Sequence, residues 1–360
     1  MHRVMQSDYM YWAKTKQSAT YNLAISGMIS YPLSGIPVSL DDIDVNGPNA
    51  YGFKPLHEEI AKRYHVHTEN IVTTFGTSMA NYLAMAAIIN PGDRILMEHP
   101  VYELIASTAG FLGARIDYFS RRPEEGFQID PHAIARAIQP GTKLIVITNL
   151  HNPSSAYTDA GTIRRIAEIA DRVGAKLLVD EVYLDAMFDD APPTALTFGN
   201  NVIVTNSLTK IYGLSGIRCG WILAEPSFAD KIWRIVDITY GTGAYPPEVI
   251  AAAALRNLPA IAARSRAILE PNHALLTAFL EQRSDIRVVP QKYGTVVFPE
   301  ALHGHVDALA DLLRTKYDTT IVPGRFFDMP RHFRLGICGE TEMVREGLLR
   351  LGKALDEVGT

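Results

Sequence analysis

The segment from Ser207 to Gly220 carries a lysine in surroundings that suit covalent chemistry. Lys210 follows an apolar run at 201–205 and the hydroxyl residues Ser207 and Thr209, and Arg218 stands eight residues further on. A lysine that is partly shielded from water and close to a cation has a lowered pKa and acts as a nucleophilic amine. Such an amine forms a Schiff base with a carbonyl compound. The alternative for this position is an ordinary solvated lysine.

Polar residues also stand directly after three other apolar runs. Gly76-Thr77-Ser78 offers backbone N–H groups and two hydroxyls at a predicted helix N-terminus, which suits a phosphate but equally fits a plain helix cap. The other two groups are His151-Asn152-Pro153 and the trio Asp180, Glu181 and Tyr183. Because ligands of parallel sheets bind beyond the carboxyl ends of the strands, we expect these residues and Lys210 to line one site.

The elements that must position this site alternate between strand and helix. Four short runs bounded by Gly, Pro, Asp or Asn are typical of buried parallel strands: Arg94–Met97, Lys143–Thr148, Lys176–Val179 and Asn201–Thr205. A helical pattern covers Thr158–Val173, and the charge-free stretch Ile71–Gly92 indicates a strand, a turn and a buried helix. The alternation predicts an α/β fold with a mainly parallel sheet sandwiched by helices.

The pattern changes after Pro246-Pro247. The sequence predicts a long helical region at Glu248–Leu280 with breaks near Pro259 and Pro271. Strands and helices then follow at Ile286–Val289, Thr295–Phe298, Val306–Lys316, Phe333–Ile337 and Glu340–Val358. We interpret residues 45–250 as a large domain, and residues 1–44 and 251–360 as an N-terminal arm plus a smaller α+β domain.

Composition excludes several classes of function. Of 360 residues, 47% are hydrophobic, and 34 basic against 39 acidic residues give a net charge of −5. This predicts a folded protein without the basic footprint that nucleic acid or an anionic membrane requires. The two cysteines, Cys219 and Cys338, cannot form a disulfide framework, and residues 1–16 lack an apolar signal segment, so we expect a cytoplasmic protein.

Other motifs point to no competing chemistry. His65/His67 and His303/His305 lack nearby carboxylate or cysteine partners, so we expect surface histidines and no metal site. The three spaced glycines of a dinucleotide-binding turn and the Gly-x-Ser-x-Gly elbow of serine hydrolases are absent from the sequence.

Taken in order, the polar motifs resemble those of fold-type I pyridoxal-phosphate enzymes of the class I/II aminotransferase family. The resemblance spans most of the chain and consists of Gly76-Thr77-Ser78, Pro100-x-Tyr102, His151-Asn152-Pro153, Asp180-x-x-Tyr183, Ser207-x-Thr209-Lys210, Arg218 and Arg334. It implies the fold-type I architecture of a large and a small domain, with pyridoxal phosphate as the cofactor.

The resemblance also implies a role for each residue around the cofactor ring. Lys210 would hold pyridoxal phosphate as a Schiff base and, once displaced by the substrate amine, would move a proton between the substrate and the cofactor. Asp180 would keep the pyridine nitrogen protonated, which makes the ring an electron sink. Tyr183 and Asn152 would bond to the ring oxygen, and Tyr102 would stack on the ring.

At the two charged ends of the ligands, the implied roles are as follows. The phosphate would be held by Gly76, Thr77, Ser78, Ser207, Thr209 and Arg218. Arg334 would clamp the substrate α-carboxylate in a forked geometry, with Asn152 and Gly27 beside it. Tyr51 would reach the phosphate of a neighbouring subunit, which implies a homodimer with shared active sites. Structural alternatives for three of the residues are a helix cap for Asp180, a surface salt bridge for Arg334 and core packing for Tyr102.

The chain departs from the family pattern in three places. Ser155 replaces a common glycine after Asn152-Pro153, so the turn there must tolerate a side chain. Tyr51 directly precedes Gly52 instead of standing several residues earlier. The loop at Thr242-Gly243 has no arginine for a dicarboxylate substrate, which disfavours acidic donors unless Arg325 or Arg331 supplies the charge.

The sequence therefore predicts a pyridoxal-phosphate-dependent aminotransferase. It would move the amino group of a small-molecule α-amino acid to a 2-oxo acid by a ping-pong mechanism. The alternative within the fold is a β-C–S lyase, decarboxylase, racemase or synthase, because the fold and cofactor do not fix which bond breaks. A non-catalytic pyridoxal-phosphate-binding domain is a more remote alternative, since Lys210 is retained.

Overall fold

A computed structural model describes residues 4–358 of the chain. The first three and last two residues, the ends of the predicted arm and small domain, lie outside the described residues. The strands are β1 Tyr21–Asn22, β2 Ile71–Thr74, β3 Arg94–His99, β4 Arg115–Ser120, β5 Thr142–Thr148, β6 Lys176–Asp180, β7 Val202–Ser207, β8 Gly220–Leu223, β9 Ile286–Arg287, β10 Val296–Val297, β11 Glu300–Ala301, β12 Thr319–Thr320, β13 Val322–Pro323 and β14 Phe333–Gly336.

The α-helices cover both faces of the main sheet and the C-terminal part of the chain. They are α1 Asp8–Thr15, α2 Lys54–Tyr64, α3 Thr77–Ala86, α4 Glu103–Phe111, α5 Pro131–Ala137, α6 Ala160–Arg172, α7 Pro226–Thr239, α8 Tyr245–Arg256, α9 Leu258–Glu281, α10 Val306–Lys316 and α11 Thr341–Val358. No helix among the described residues is long and apolar enough to cross a membrane.

Seven strands form the main sheet, in the order β2-β8-β7-β6-β5-β3-β4. Strand β8 runs in the opposite direction to the other six strands of this sheet, so the predicted mainly parallel sheet is confirmed. Its central strands are buried on both faces. In β6, Leu177 and Val179 pack into one hydrophobic core and Leu178 into the core on the opposite face. This double burial explains the continuous apolar runs in the sequence.

Register brings the polar ends of the central strands together. Asp180, the last residue of β6, pairs with Thr148 on β5 and Thr205 on β7. The charge-free stretch from Ile71 forms β2, a turn and the buried helix α3, as predicted. Strands β2 and β7 are both antiparallel to β8, so they run in the same direction, and the N-terminus of α3 after β2 lies at the same edge of the sheet.

A third hydrophobic core joins α9, α10 and α11 to the short strands of the C-terminal part. The N-terminal segment reaches this core, since Leu23 is buried in it and β1 pairs with β12 in parallel. A fourth cluster gathers aromatic side chains from distant parts of the chain around Tyr9 of α1, including Phe127, Phe298 and Phe327.

The predicted helical region after Pro247 agrees with expectation at one of its two prolines and differs at the other. The break near Pro259 is confirmed, because α8 ends at Arg256 and α9 begins at Leu258. The break near Pro271 is wrong, since α9 continues through it. Asn272 is buried there and donates hydrogen bonds to the carbonyls of Ile337 and Gly339, so tertiary contacts hold the helix where the proline removes a backbone donor.

Candidate active site

A cavity of about 210 Å³ opens at the carboxyl edge of the main sheet, next to the N-terminus of α3. Most of the polar residues predicted to form the site lie around it. Its lining consists of Met10, Thr77, Ser78, Asn81, Tyr102, Leu104, Ile105, Thr108, Thr148, Asn152, Asp180, Val182, Tyr183, Ser207, Thr209, Lys210 and Arg218. The structure therefore brings together polar residues that follow different strands, Thr77 and Lys210 being 133 positions apart, as their places at the strand ends predicted.

Lys210 lies in the turn after β7 with its amine directed into the cavity. Its Nζ donates to Ser26 Oγ at 2.9 Å and lies 5.6 Å from the centre of the Tyr183 ring. Gly27 passes close by, because a Cβ built there would lie 3.4 Å from Lys210 Cδ. The backbone of Lys210 is also held, since its carbonyl accepts from the Met28 N–H at 2.7 Å. The amine is thus placed by a segment nearly two hundred residues earlier in the chain.

Asp180 presents a buried carboxylate beneath the lysine. Its Oδ2 accepts from Asn81 Nδ2 at 2.8 Å and its Oδ1 from the Val182 N–H at 3.0 Å. Burial nevertheless raises the pKa of Asp180 to about 6. Asp180 is not a helix cap, because the next short helical segment begins at Leu184 with Tyr183 as its cap. A desolvated carboxylate in this position favours a cationic partner.

Three hydroxyls around the cavity lack a hydrogen-bond partner among the described residues. They belong to Tyr183, Thr77 and Thr209, and all three oxygens are buried. Buried polar groups in folded proteins are nearly always hydrogen-bonded, so unpaired hydroxyls that converge on one cavity indicate a polar ligand.

The N-terminus of α3 and Arg218 form the cationic end of the cavity. Gly76 precedes the helix with a φ of 79°, and a Cβ there would come within 2.6 Å of Arg218 Nη2. Arg218 donates to two backbone carbonyls, those of Phe75 at 3.2 Å and Ser215 at 3.1 Å. Its other N–H groups and the helix N-terminus, with Ser78 exposed beside them, suit an anion such as a phosphate.

Arg334 on β14 is 1% exposed and lies beyond Asn152. Its Nη1 donates to Asn152 Oδ1 at 2.9 Å, its Nη2 to the Tyr9 hydroxyl at 2.9 Å and, more weakly, to the Ala24 carbonyl at 3.4 Å. Its Nε has no hydrogen-bond partner among the described residues. None of the carboxylates among those residues forms an ion pair with the Arg334 guanidinium. The surface salt bridge that was the alternative for Arg334 is therefore excluded.

The loop that carries Asn152 is held from several directions. The Asn152 N–H donates to Thr148 Oγ1 at 3.0 Å, and Thr148 in turn donates to the buried carboxylate of Glu98 at 2.6 Å. Ser155, in the turn expected to have to tolerate a side chain, adopts a φ of 62°. Its hydroxyl donates to the Val296 carbonyl at 2.7 Å, a bond that offsets the left-handed conformation and ties the loop to β10.

Tyr102 begins the segment that leads into α4 and lines the cavity. Its hydroxyl donates to Met10 Sδ at 3.3 Å, and burial raises its pKa. Tyr51, by contrast, does not reach the cavity of its own chain. It is half-exposed, its ring lies 5.5 Å from that of Trp233, and the Arg234 guanidinium lies 4.9 Å from the ring centre.

Several residues of the site were not identified from the sequence. Asn81 stands one turn after Thr77 on α3, and this helical spacing placed it on the cavity side. Tyr9, Met10 and Ser26 carry no comparable signal, because their contacts depend on how the N-terminal segment folds back onto the rest of the chain. Among the described residues, no group of three or more histidine, cysteine or acidic side chains is placed to hold a metal ion.

Comparison with known proteins identifies relatives along most of the chain. Residues 45–351 match the family described as aminotransferase class I and II. The chain is 25% identical over 323 residues to the arginine–pyruvate transaminase of Pseudomonas aeruginosa, covering 85% of this chain and 81% of that one. It is 29% identical over 329 residues to the capreomycidine synthase of Streptomyces vinaceus, covering 89% and 83%.

A solved structure is similar over the full length. A PLP-dependent aminotransferase from Streptococcus suis superposes with a TM-score of 0.93 at 26% sequence identity, covering 100% of both chains. The match includes the N-terminal segment with α1, which precedes the residues recognised by the family comparison.

Proposed function

The chain belongs to the class I and II aminotransferases, and from this premise we propose that its cavity uses Lys210 to transfer the amino group of an α-amino acid to a 2-oxo acid. The enzyme depends on pyridoxal phosphate, as its family and its relatives indicate. The observation that carries the assignment to this site is the convergence of the Lys210 amine, the buried Asp180 carboxylate and the unpartnered Tyr183 hydroxyl on one cavity.

The residues around the cavity fit this cofactor. Arg218 and the N-terminus of α3 suit its phosphate, and the buried carboxylate of Asp180 suits a protonated pyridine nitrogen. The hydroxyls of Tyr183 and Thr77, which lack partners in the described chain, match its further polar atoms. When bound, pyridoxal phosphate supplies a carbonyl for the amino group and a ring that withdraws electrons from the substrate α-carbon.

Residues of this chain would supply the proton transfer, the charge stabilisation and the substrate binding. With the cofactor bound, the Lys210 amine would take the proton from the substrate α-carbon and act as the group that carries it, and Ser26 Oγ holds the amine by accepting a hydrogen bond from it. Asp180 would favour the protonated form of the pyridine nitrogen, because a buried carboxylate stabilises a neighbouring cation. Arg334 binds the substrate carboxylate, since a buried guanidinium without an anionic partner is otherwise costly.

We propose further that the amino donor has an uncharged side chain. Once the residues that fit the cofactor are set aside, the cavity lining that remains is uncharged: Met10, Asn81, Leu104, Ile105, Thr108, Thr148 and Val182. Arg325 and Arg331, the two other candidates for reading a second carboxylate, are paired with Asp307 and Glu300. Thr242 and Gly243 supply no cation either.

A half-reaction tests both the cofactor and the donor class. We expect the purified enzyme with pyridoxal phosphate to show a visible absorption band that L-leucine or L-methionine bleaches without any acceptor. L-Glutamate should act at least about tenfold less efficiently, one factor of ten being about 1.4 kcal/mol of discrimination. Faster bleaching by glutamate would contradict the donor class, and the absence of any band would contradict the cofactor site.

A pyridoxal-phosphate-dependent synthase is the second candidate, favoured by the 29% identity to capreomycidine synthase over most of both chains. The same experiment separates the two. A synthase would consume the amino acid without accumulating the aminated cofactor and without needing a 2-oxo acid. Release of ammonia or carbon dioxide would instead indicate a lyase or a decarboxylase.

We also propose that the enzyme is a homodimer located in the cytoplasm. Three large apolar side chains with high exposure support the dimer: Leu40 is 88%, Val45 79% and Ile238 83% exposed. The segment before Tyr51 is tied to the neighbouring loop, because Thr242 Oγ1 donates to the Asn49 carbonyl at 2.8 Å. Exposed apolar surface of this kind is typical of protein interfaces.

The free, buried thiols of Cys219 and Cys338 suit a reducing compartment, which supports the proposed location in the cytoplasm.

The dimer is tested by sedimentation of the holoenzyme. We expect a mass of twice 39.7 kDa for the wild type and a shift towards monomer in the double variant Leu40→Arg/Val45→Arg, because two buried charges at an interface are costly. Leu349→Arg, at an exposed site on α11, is the matched control and should remain dimeric. A fully active wild-type monomer would contradict the shared active site.

A further inference from the structure

Two adjacent residues of α1 contact the two sides of the candidate substrate site. The Tyr9 hydroxyl accepts a hydrogen bond from Arg334 Nη2 at 2.9 Å. Met10, the next residue, lines the cavity and accepts from the Tyr102 hydroxyl through its sulfur at 3.3 Å. Neither residue falls within the part of the chain that matches the family, which begins at residue 45.

The position of α1 is fixed by polar contacts at its start. Ser7 caps the helix by accepting from the Met10 N–H at 3.1 Å, and its hydroxyl donates to the carboxylate of Glu103, the first residue of α4. A side chain cap of this kind stabilises the helix start, and the bond to Glu103 joins α1 to the segment that carries Tyr102.

The ring of Tyr9 is held by aromatic neighbours. It lies edge-on to Tyr102 at 5.4 Å and to Phe326 at 5.6 Å between ring centres, and Tyr9 is 7% exposed. These contacts and the low exposure hold the Tyr9 ring where its hydroxyl meets Arg334.

We propose that Tyr9 is a positioning residue for substrate binding: its hydroxyl fixes the plane of the Arg334 guanidinium so that the free N–H groups face the substrate carboxylate. Asn152 Oδ1 holds Nη1 and Tyr9 holds Nη2, while Nε is left without a partner in the described chain. A forked arginine–carboxylate pair depends on the orientation of that plane. The inference rests on the proposed function, in which Arg334 binds the carboxylate.

The test is Tyr9→Phe, which keeps the ring and removes only the hydroxyl. In the holoenzyme we expect KM for L-leucine to rise about tenfold while kcat changes less than about threefold, since a hydrogen bond to a charged group is lost at the binding site. Binding of isocaproate, which has the carboxylate but no amine, should weaken about tenfold by calorimetry. Reaction of isopentylamine, which lacks the carboxylate, should be unaffected and shows that the site is intact.

Two reference variants make the outcomes distinct. Tyr11→Phe changes an exposed tyrosine of the same helix and should behave as the wild type. Arg334→Gln should abolish measurable isocaproate binding. If Arg334→Gln weakens isocaproate binding but Tyr9→Phe leaves it unchanged or tightens it, Tyr9 is not a positioning residue but at most a stand-in that the substrate displaces. If Arg334→Gln binds isocaproate as tightly as the wild type, the assignment of Arg334 as the carboxylate site is itself wrong.

Discussion

Replacing Lys210 with alanine is expected to lower turnover by at least about 10⁴-fold and to remove the visible absorption band of the bound cofactor. Both effects follow from one side chain, because the Lys210 amine is the proposed attachment point of pyridoxal phosphate and the proposed carrier of the substrate proton. The measurements are steady-state turnover with the best amino donor and an absorption spectrum after adding pyridoxal phosphate.

The control for Lys210→Ala is Lys54→Ala, which removes an exposed lysine at the start of α2 and should leave both readouts unchanged. Circular dichroism should show the same fold for both variants, since Lys210 makes one side-chain hydrogen bond, to Ser26. A Lys210→Ala enzyme that kept its turnover would overturn the mechanism for every reaction considered, including the synthase.

Replacing Asp180 with asparagine is expected to reduce turnover about 10²- to 10³-fold while the cofactor still binds through Lys210. The substitution keeps the size of the side chain but removes the charge that stabilises a proton on the ring nitrogen, a preorganised electrostatic contribution of this magnitude. The measurement is single-turnover bleaching by L-leucine. Asp171→Asn, at an exposed position in the last turn of α6, is the matched control and should react at the wild-type rate.

The pKa of Asp180 adds a pH dependence to this prediction. Burial raises that pKa to about 6 in the chain without its ligand, so the carboxyl becomes protonated as the pH falls through 6. The protonated form cannot stabilise a pyridinium, and we expect cofactor affinity to fall on the acid side of pH 6 in the wild type. Asp180→Asn should lack this step, and a step retained in that variant would assign it to another group.

The sequence predicted the carboxyl edge of the sheet well for a physical reason. The runs before Thr148, Asp180 and Ser207 are buried on both faces, so their apolar character is continuous and their ends are sharp. Parallel pairing then places those ends side by side. The polar residues after each run could therefore be assigned to one place without knowing how the chain connects them.

Elements at the edge of the sheet and in the N-terminal segment gave weaker signals. Strand β4 is one of the two edge strands and is half-exposed, so Arg115–Ser120 mixes polar and apolar residues and was not identified as a strand. Helix α1 is short and mostly polar on its exposed side. Its functional residues, Tyr9 and Met10, are recognisable only by their neighbours in space, which local sequence patterns do not contain.

The N-terminal contacts also constrain the order in which the enzyme can fold. Ser26 meets Lys210 across 184 positions of sequence, and Tyr9 meets Arg334 across 325. Contacts between such distant residues close long loops and form late, after local elements have assembled. On a ribosome, the residues made first must wait for those made nearly last. The contact between Tyr9 and Arg334 therefore cannot form until residue 334 has been synthesised, whereas the strand ends and Lys210 come earlier in the chain.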